Sequence, residues 1–167
     1  MNHTAYIALG SNLGDRKGYL DAALDELDRH PQVRVMARST YHETEPVGGP
    51  PGQGMYLNAA AALETELSPE ALLRVLQEVE QRFGRTREEP NAPRTLDLDL
   101  LLYDDWVRTE DAPLIPHPRM WRRSFVLEPL VEIAPNVRHP GLGVSIRRLA
   151  EALRDTPPPD RPLTGLR

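Results

Sequence analysis

Two aspartates separated by one residue, Asp97 and Asp99, stand inside the run Pro93-Arg94-Thr95-Leu96-Asp97-Leu98-Asp99-Leu100-Leu101-Leu102. Side chains alternate along a strand, so both carboxylates share one face while Leu96, Leu98 and Leu100 enter the core from the other. Neighbouring carboxylates repel unless a cation joins them. Oxygen-only ligation suits magnesium, which takes one or two carboxylates and completes its shell with substrate phosphates. The chemistry to expect is transfer of a phosphate-type group from a magnesium-bound nucleotide. Spacing alone leaves a second reading open, the exposed face of an edge strand, because Asp-x-Asp also recurs by accident. Arg94, just upstream, favours the first, since a guanidinium can hold phosphate oxygens bidentately.

Other candidates surround this pair. Arg85, Arg87 and Arg94 sit in or beside one loop, where they read either as a clamp on a polyphosphate or as a solvated surface. Gln77 and Glu80 lie near the apolar stripe of the preceding helix, where ligand contact and ordinary surface polarity both fit. Tyr56-Leu57-Asn58 puts an aromatic ring and an amide on one strand face, able to stack on and hydrogen-bond a flat heterocycle, or simply to join the core. His117 is held between two prolines, with Arg119, Arg122, Arg123 and Phe125 close behind. Gly10-Ser11-Asn12-Leu13-Gly14 lies between a strand and a helix but matches neither glycine-rich phosphate fingerprint, so it reads as a structural turn.

The elements that must position these groups follow from periodicity. Tyr6 to Leu9 is strand-like. Asp15 can cap a helix whose apolar stripe is Leu20, Ala23, Leu24 and Leu27, stopped by His30-Pro31. A second strand runs from Val33 to about Tyr41 and a third from about Tyr56 to Leu63. Ser68-Pro69-Glu70 opens a second helix with Leu72, Val75, Leu76, Val79 and Phe83 inward, ended by Gly84. Leu96 to Tyr103 is a fourth strand, and a last helix spans about Ser145 to Arg154. The segment between reads as short and irregular. The order β-α-β-β-α-β predicts an α+β, ferredoxin-like antiparallel sheet with helices packed on one face. Residues 1–155 form one domain, and the proline-rich 156–167 reads as a tail. The long loops at 43–55 and 84–94 suggest functional segments.

Composition narrows the partners. The 167 residues carry a net charge of -5 and no cysteine, which argues against nucleic-acid binding and excludes thiolate chemistry. Lys17 is the only lysine, so phosphate contacts would fall to arginine. Neither a signal peptide nor a membrane-length apolar run is visible, so a cytoplasmic protein without membrane attachment is expected.

Six segments together resemble the 6-hydroxymethyl-7,8-dihydropterin pyrophosphokinase family of the folate pathway. They are residues 5–14, Tyr56-Leu57-Asn58-Ala59-Ala60, Gly84-Arg85, Pro93 to Asp99, Pro116-His117-Pro118-Arg119-Met120 and Arg123 to Leu130. The resemblance covers about residue 5 to 155, in the family's order and spacing. It implies a ferredoxin-like fold and transfer of the β,γ-pyrophosphate of ATP to the pterin hydroxymethyl group, releasing AMP. Asp97 and Asp99 would hold two magnesium ions. Arg85, Arg94, His117 and Arg123 would neutralise phosphate charge, with Arg85 and Arg94 counted as catalytic. Gln77 and Glu80 would lie near ATP. The ring would stack between Tyr56 and Phe125, its edge read by Asn58 and by main-chain groups near Thr44 and Val47. The family also implies a monomer that binds ATP first.

The sequence departs from the family's pattern at three places. Pro90-Asn91-Ala92 stands where some relatives carry a tryptophan, Pro118 where a tyrosine can follow the histidine, and Ala112 where some have a nucleotide-contacting arginine. Two rivals are a nucleotide-sugar glycosyltransferase, which would need a doubly wound domain, and a non-catalytic ferredoxin-like interaction module.

Overall fold

A computed structural model describes residues 2–45, 54–84 and 95–155. Strand β1 (His3–Ser11) leads into α1 (Arg16–Arg29). The Asp15 side chain accepts from the Gly18 amide at 3.1 Å, and the expected stripe Leu20, Ala23, Leu24 and Leu27 is the buried face. Strands β2 (Val33–Arg38), β3 (His42–Thr44) and β4 (Tyr56–Thr65) follow, then α2 (Pro69–Arg82). Ser68 caps α2 by accepting from the Ala71 amide at 3.2 Å, and Gly84 closes it at φ 81°. Strand β5 (Asp97–Tyr103), a 3-10 turn (Met120–Arg122), α3 (Ser124–Ile133) and α4 (Ile146–Asp155) complete the order.

The expected second strand is broken. β2 and β3 lie end to end along the same side of β4. At the break, Ser39 bonds Ala60 twice: its amide donates to the Ala60 carbonyl at 2.9 Å, and its Oγ accepts from the Ala60 amide at 2.9 Å. The sheet is antiparallel throughout, in the order β2-β4-β1-β5, with β3 also on β4.

Helices cover both faces of the sheet, which corrects the expectation of one. Leu96, Leu98 and Leu100 join Ile7, Leu9, Leu63 and the stripes of α1 and α2 in one core. The other face packs Ala8, Ala60 and Leu101 against Val126, Leu127 and Leu130 of α3 and Ile146, Leu149 and Ala150 of α4. Each fully buried leucine contributes about 1.5–3 kcal/mol relative to exposure. α3 lies where the sequence reads as irregular. Pro129 sits inside it, and an interior proline normally breaks a helix because it lacks the N–H and crowds the preceding turn. Here Pro129 is itself buried among the apolar residues of α3, whose packing offsets the lost bond. Among the described residues, no helix is long and apolar enough to cross a membrane.

Candidate active site

The sheet face beneath α3 is built in rows by strand register. One row runs His42, Asn58, Gly10, Asp97 across β3, β4, β1 and β5. The next runs Ala60, Ala8, Asp99. Glycine and alanine therefore form a low floor, with an amide on one side and two carboxylates on the other. Strands lie roughly 4.8 Å apart, so two intervals place the Asn58 and Asp97 backbones about 10 Å from each other. Thr44 pairs with Tyr56 one step further along.

Asn58 is fully buried. Its Nδ2 donates to the His42 carbonyl at 3.2 Å and to Thr44 Oγ1 at 2.6 Å. A carbonyl can only accept, which fixes the amide so that Oδ1 is the other atom. Oδ1 is buried and has no hydrogen-bond partner among the described residues. A buried acceptor in that state asks for a donor. Tyr56 is 4% exposed on the same strand face, and Phe125 is half-buried at the start of α3.

Asp97 is buried and Asp99 half-buried. Leu98, between them, donates its amide to Glu80 Oε2 at 2.7 Å. Glu80 is 4% exposed, so α2 braces β5 through a carboxylate. Gln77 sits half-buried one turn earlier on α2. Among the described residues, no cluster of three or more histidine, cysteine, aspartate or glutamate side chains forms a metal cage. Two acids on one strand face remain the donor set that suits a magnesium ion sharing substrate phosphates.

His117 stands over β5, its amide donating to the Leu101 carbonyl at 2.8 Å. Burial, reinforced by the charges of Arg119 and Arg123 and opposed by Asp97, pushes the imidazole down to about 4. It is neutral at neutral pH. Nδ1 accepts from the Arg119 amide at 3.2 Å, which leaves Nε2 as the N–H donor. Arg123 is buried, its guanidinium carbon 6.0 Å from the centroid of the Phe125 ring.

The structure thus brings together Asp97, Asp99, His117 and Arg123 on one side, with Phe125 against Arg123, and Thr44, Tyr56 and Asn58 on the other. Arg85, Arg87, Arg94 and Val47 lie outside the described residues, as does Pro90-Asn91-Ala92. Thr95 Oγ1 donates to the Phe83 carbonyl. The turn expected over Gly10 to Gly14 is shorter: Gly10 and Ser11 end strand β1, and the chain turns only from Asn12, which is buried and whose Nδ2 donates to the Gly54 carbonyl at 3.3 Å.

One part of the site was not legible in the sequence. A cavity of about 300 Å³ is lined by Leu73, Leu98, Leu100, Pro113 and Leu114 together with Asp99, His117, Pro118 and Arg119. Its apolar residues come from three distant segments, and the exposure of Leu114 (36%) is the one local sign of it.

Comparisons with known proteins identify the family. The profile of the family described as 7,8-dihydro-6-hydroxymethylpterin-pyrophosphokinase (HPPK) matches residues 6–135. The 2-amino-4-hydroxy-6-hydroxymethyldihydropteridine pyrophosphokinase of Bacillus subtilis is 48% identical over 138 residues, 82% of this chain and 81% of that protein. The enzymes of the same name from Methylorubrum extorquens and Pseudomonas aeruginosa are 42% and 41% identical, covering 84% and 86% of their lengths. Among solved structures, an HPPK-DHPS in complex with substrates superposes with TM-score 0.72 at 12% identity, over 93% of this chain and 44% of that longer one. The wild-type Plasmodium falciparum HPPK-DHPS with pteroate gives TM-score 0.70 at 13% identity, again over 93% and 44%. The match spans most of the chain, and this protein belongs to the 7,8-dihydro-6-hydroxymethylpterin-pyrophosphokinase family.

Proposed function

We propose that this chain transfers the β,γ-pyrophosphate of ATP to the hydroxymethyl group of 6-hydroxymethyl-7,8-dihydropterin, giving the pterin diphosphate and AMP for folate biosynthesis. One observation carries the reading. An amide with a buried acceptor and a pair of carboxylates share one sheet face, two strand intervals apart, over a glycine and alanine floor. A flat ring read by Asn58 at one edge would direct its alcohol arm toward Asp97.

Each side chain then has a task. Asn58 Oδ1 accepts from the N–H edge of the pterin, while Tyr56 and Phe125 stack on its faces. Thr44 and the Val47 main chain complete the edge. The cavity beside Leu73, Leu100 and Leu114 takes the nucleotide, near Gln77 and Glu80. His117 Nε2 donates to a phosphate oxygen without adding charge, and Arg123 adds a guanidinium. Arg85 and Arg94 clamp the polyphosphate from their loop. Asp97 and Asp99 hold two magnesium ions, which when bound neutralise phosphate charge and lower the pKa of the attacking alcohol. Protein groups otherwise supply position and charge stabilisation, which dominate this class of transfer.

Two finer readings go with this. Counting β2 and β3 as one interrupted strand, the sheet order supports a ferredoxin-like arrangement with α3 and α4 added on the far face. The family resemblance also implies a cytoplasmic monomer. The deciding experiment is incubation with ATP, magnesium and 6-hydroxymethyl-7,8-dihydropterin. AMP formed in step with pterin diphosphate is the expected result, whereas ADP or no turnover would overturn it.

A further inference from the structure

α3 meets the site at two points. Its N-terminal end presents Phe125 just past Arg123. At its C-terminal end, Glu132 reaches the opposite edge of the sheet. Glu132 Oε1 accepts from the Thr40 amide at 2.8 Å, and its two oxygens accept from the Thr40 hydroxyl at 3.0 and 2.9 Å. The carboxylate also pairs with His42 Nε2. Burial alone would raise the Glu132 carboxyl, but the bonds from Thr40 and His42 outweigh it and hold the group below its usual range. An exposed rim acid with one ion pair contributes little. This acid gathers a main-chain amide, a hydroxyl and an imidazole, all from one short segment.

That segment matters because β3 has three residues and, among the described residues, pairs with β4 alone. A strand so short has few ladder bonds of its own, so its anchorage decides where it sits. Two of its acceptors, the His42 carbonyl and Thr44 Oγ1, take both N–H groups of Asn58. We propose that Glu132 is a positioning residue for ring recognition. Through Thr40 and His42 it fixes β3, and through β3 it fixes the direction in which Asn58 Oδ1 faces. The inference rests on the pterin reading of the site given above. Glu132 itself does not touch the ring. Without it, β3 loses its anchor, and the Asn58 amide loses the acceptors that dictate which way it is turned. A turned amide would present N–H to the N–H edge of the ring. One helix thereby sets both the stacking wall and the reading wall.

The test measures 6-hydroxymethyl-7,8-dihydropterin affinity by calorimetry with a non-hydrolysable ATP analogue present, and KM for each substrate in turnover. Glu132→Ala should weaken pterin binding about tenfold, equivalent to about 1.4 kcal/mol. KM for ATP should stay within about twofold of wild type, a separation that a general loss of stability would not produce. Glu132→Gln keeps an oxygen for the Thr40 amide and should recover most of the affinity. In an Asn58→Ala background, Glu132→Ala should add less than about twofold, because the residue it acts through is gone. Unchanged pterin affinity, an equal rise in KM for ATP, or a full effect without Asn58 would each overturn the proposal. Should Glu132→Ala fail to fold, Thr40→Val removes the hydroxyl contact and is held to the same comparisons. A wild-type protein that binds no pterin defeats the functional reading, whereas wild-type binding matched by Glu132→Ala defeats only the positioning role.

Discussion

Glu80→Ala tests how the two acids are held. Glu80 is 4% exposed and takes the Leu98 amide at 2.7 Å, between Asp97 and Asp99. Alanine would leave a main-chain donor of a buried residue without this acceptor. An unsatisfied buried donor costs about 1–3 kcal/mol, and a hydrogen bond to a charged group is worth about 1.5–3 kcal/mol. Both figures describe one event, so about 2 kcal/mol is the fair value rather than their sum. In a chain of 167 residues, each 1 kcal/mol moves Tm by about 2–4 °C, so Tm should fall by about 4–8 °C. Glu80→Gln keeps an oxygen at the same reach and should recover most of it. The assay is scanning calorimetry of the ligand-free protein, run beside kcat and KM for ATP. Because the strand that loosens carries both acids, kcat should drop more than KM rises. A Tm within about 1 °C of wild type would refute the brace. A rise in KM for ATP at unchanged Tm would instead point to the nucleotide contact expected from sequence.

Asp97→Ala or Asp99→Ala should abolish turnover while the fold survives, checked by circular dichroism and Tm; near-normal rates in either variant would remove the metal assignment. His139 is buried and accepts from the Gly141 and Leu142 amides at 3.2 and 3.0 Å, and burial holds its imidazole below the ordinary 6.5. Below pH 6.5 the unfolded chain therefore binds more protons at this position than the native one, so His139 makes stability fall as pH falls. His139→Asn should flatten that decline when Tm is followed from about pH 7 to 5, and an unchanged slope would contradict it.

Much of the fold was legible because its signals are local. The stripes of α1 and α2, the caps at Asp15 and Ser68, and the face shared by Asp97 and Asp99 follow from spacing and end chemistry alone. α3 was not legible, because Pro129 in its interior reads as a breaker. The break after β2 depends on Ser39 meeting Ala60, a partner distant in sequence. Glu80 was readable as near the ligand but not as a strand brace, since its acceptor role appears only when α2 lies against β5. Asn58 was readable as polar on a strand; that Oδ1 is its outward atom depends on the placement of β3.

Ala60 touches no reacting atom, yet it sits under α3 and beside Ala8 in the second core. Its methyl group sets how closely that helix approaches the sheet. A larger side chain there would lift a single body that carries Phe125 and Glu132 and is entered through Arg123. The sheet therefore divides the molecule into two territories with different freedom to change. On the α1 side, around Leu20, Ala23, Leu24 and Leu27, volume can be traded between neighbours at a cost mainly in stability. On the other side, the smallness of an alanine in the floor of the site serves function as well as packing, and efforts to make this protein more robust by filling space should begin on the first side.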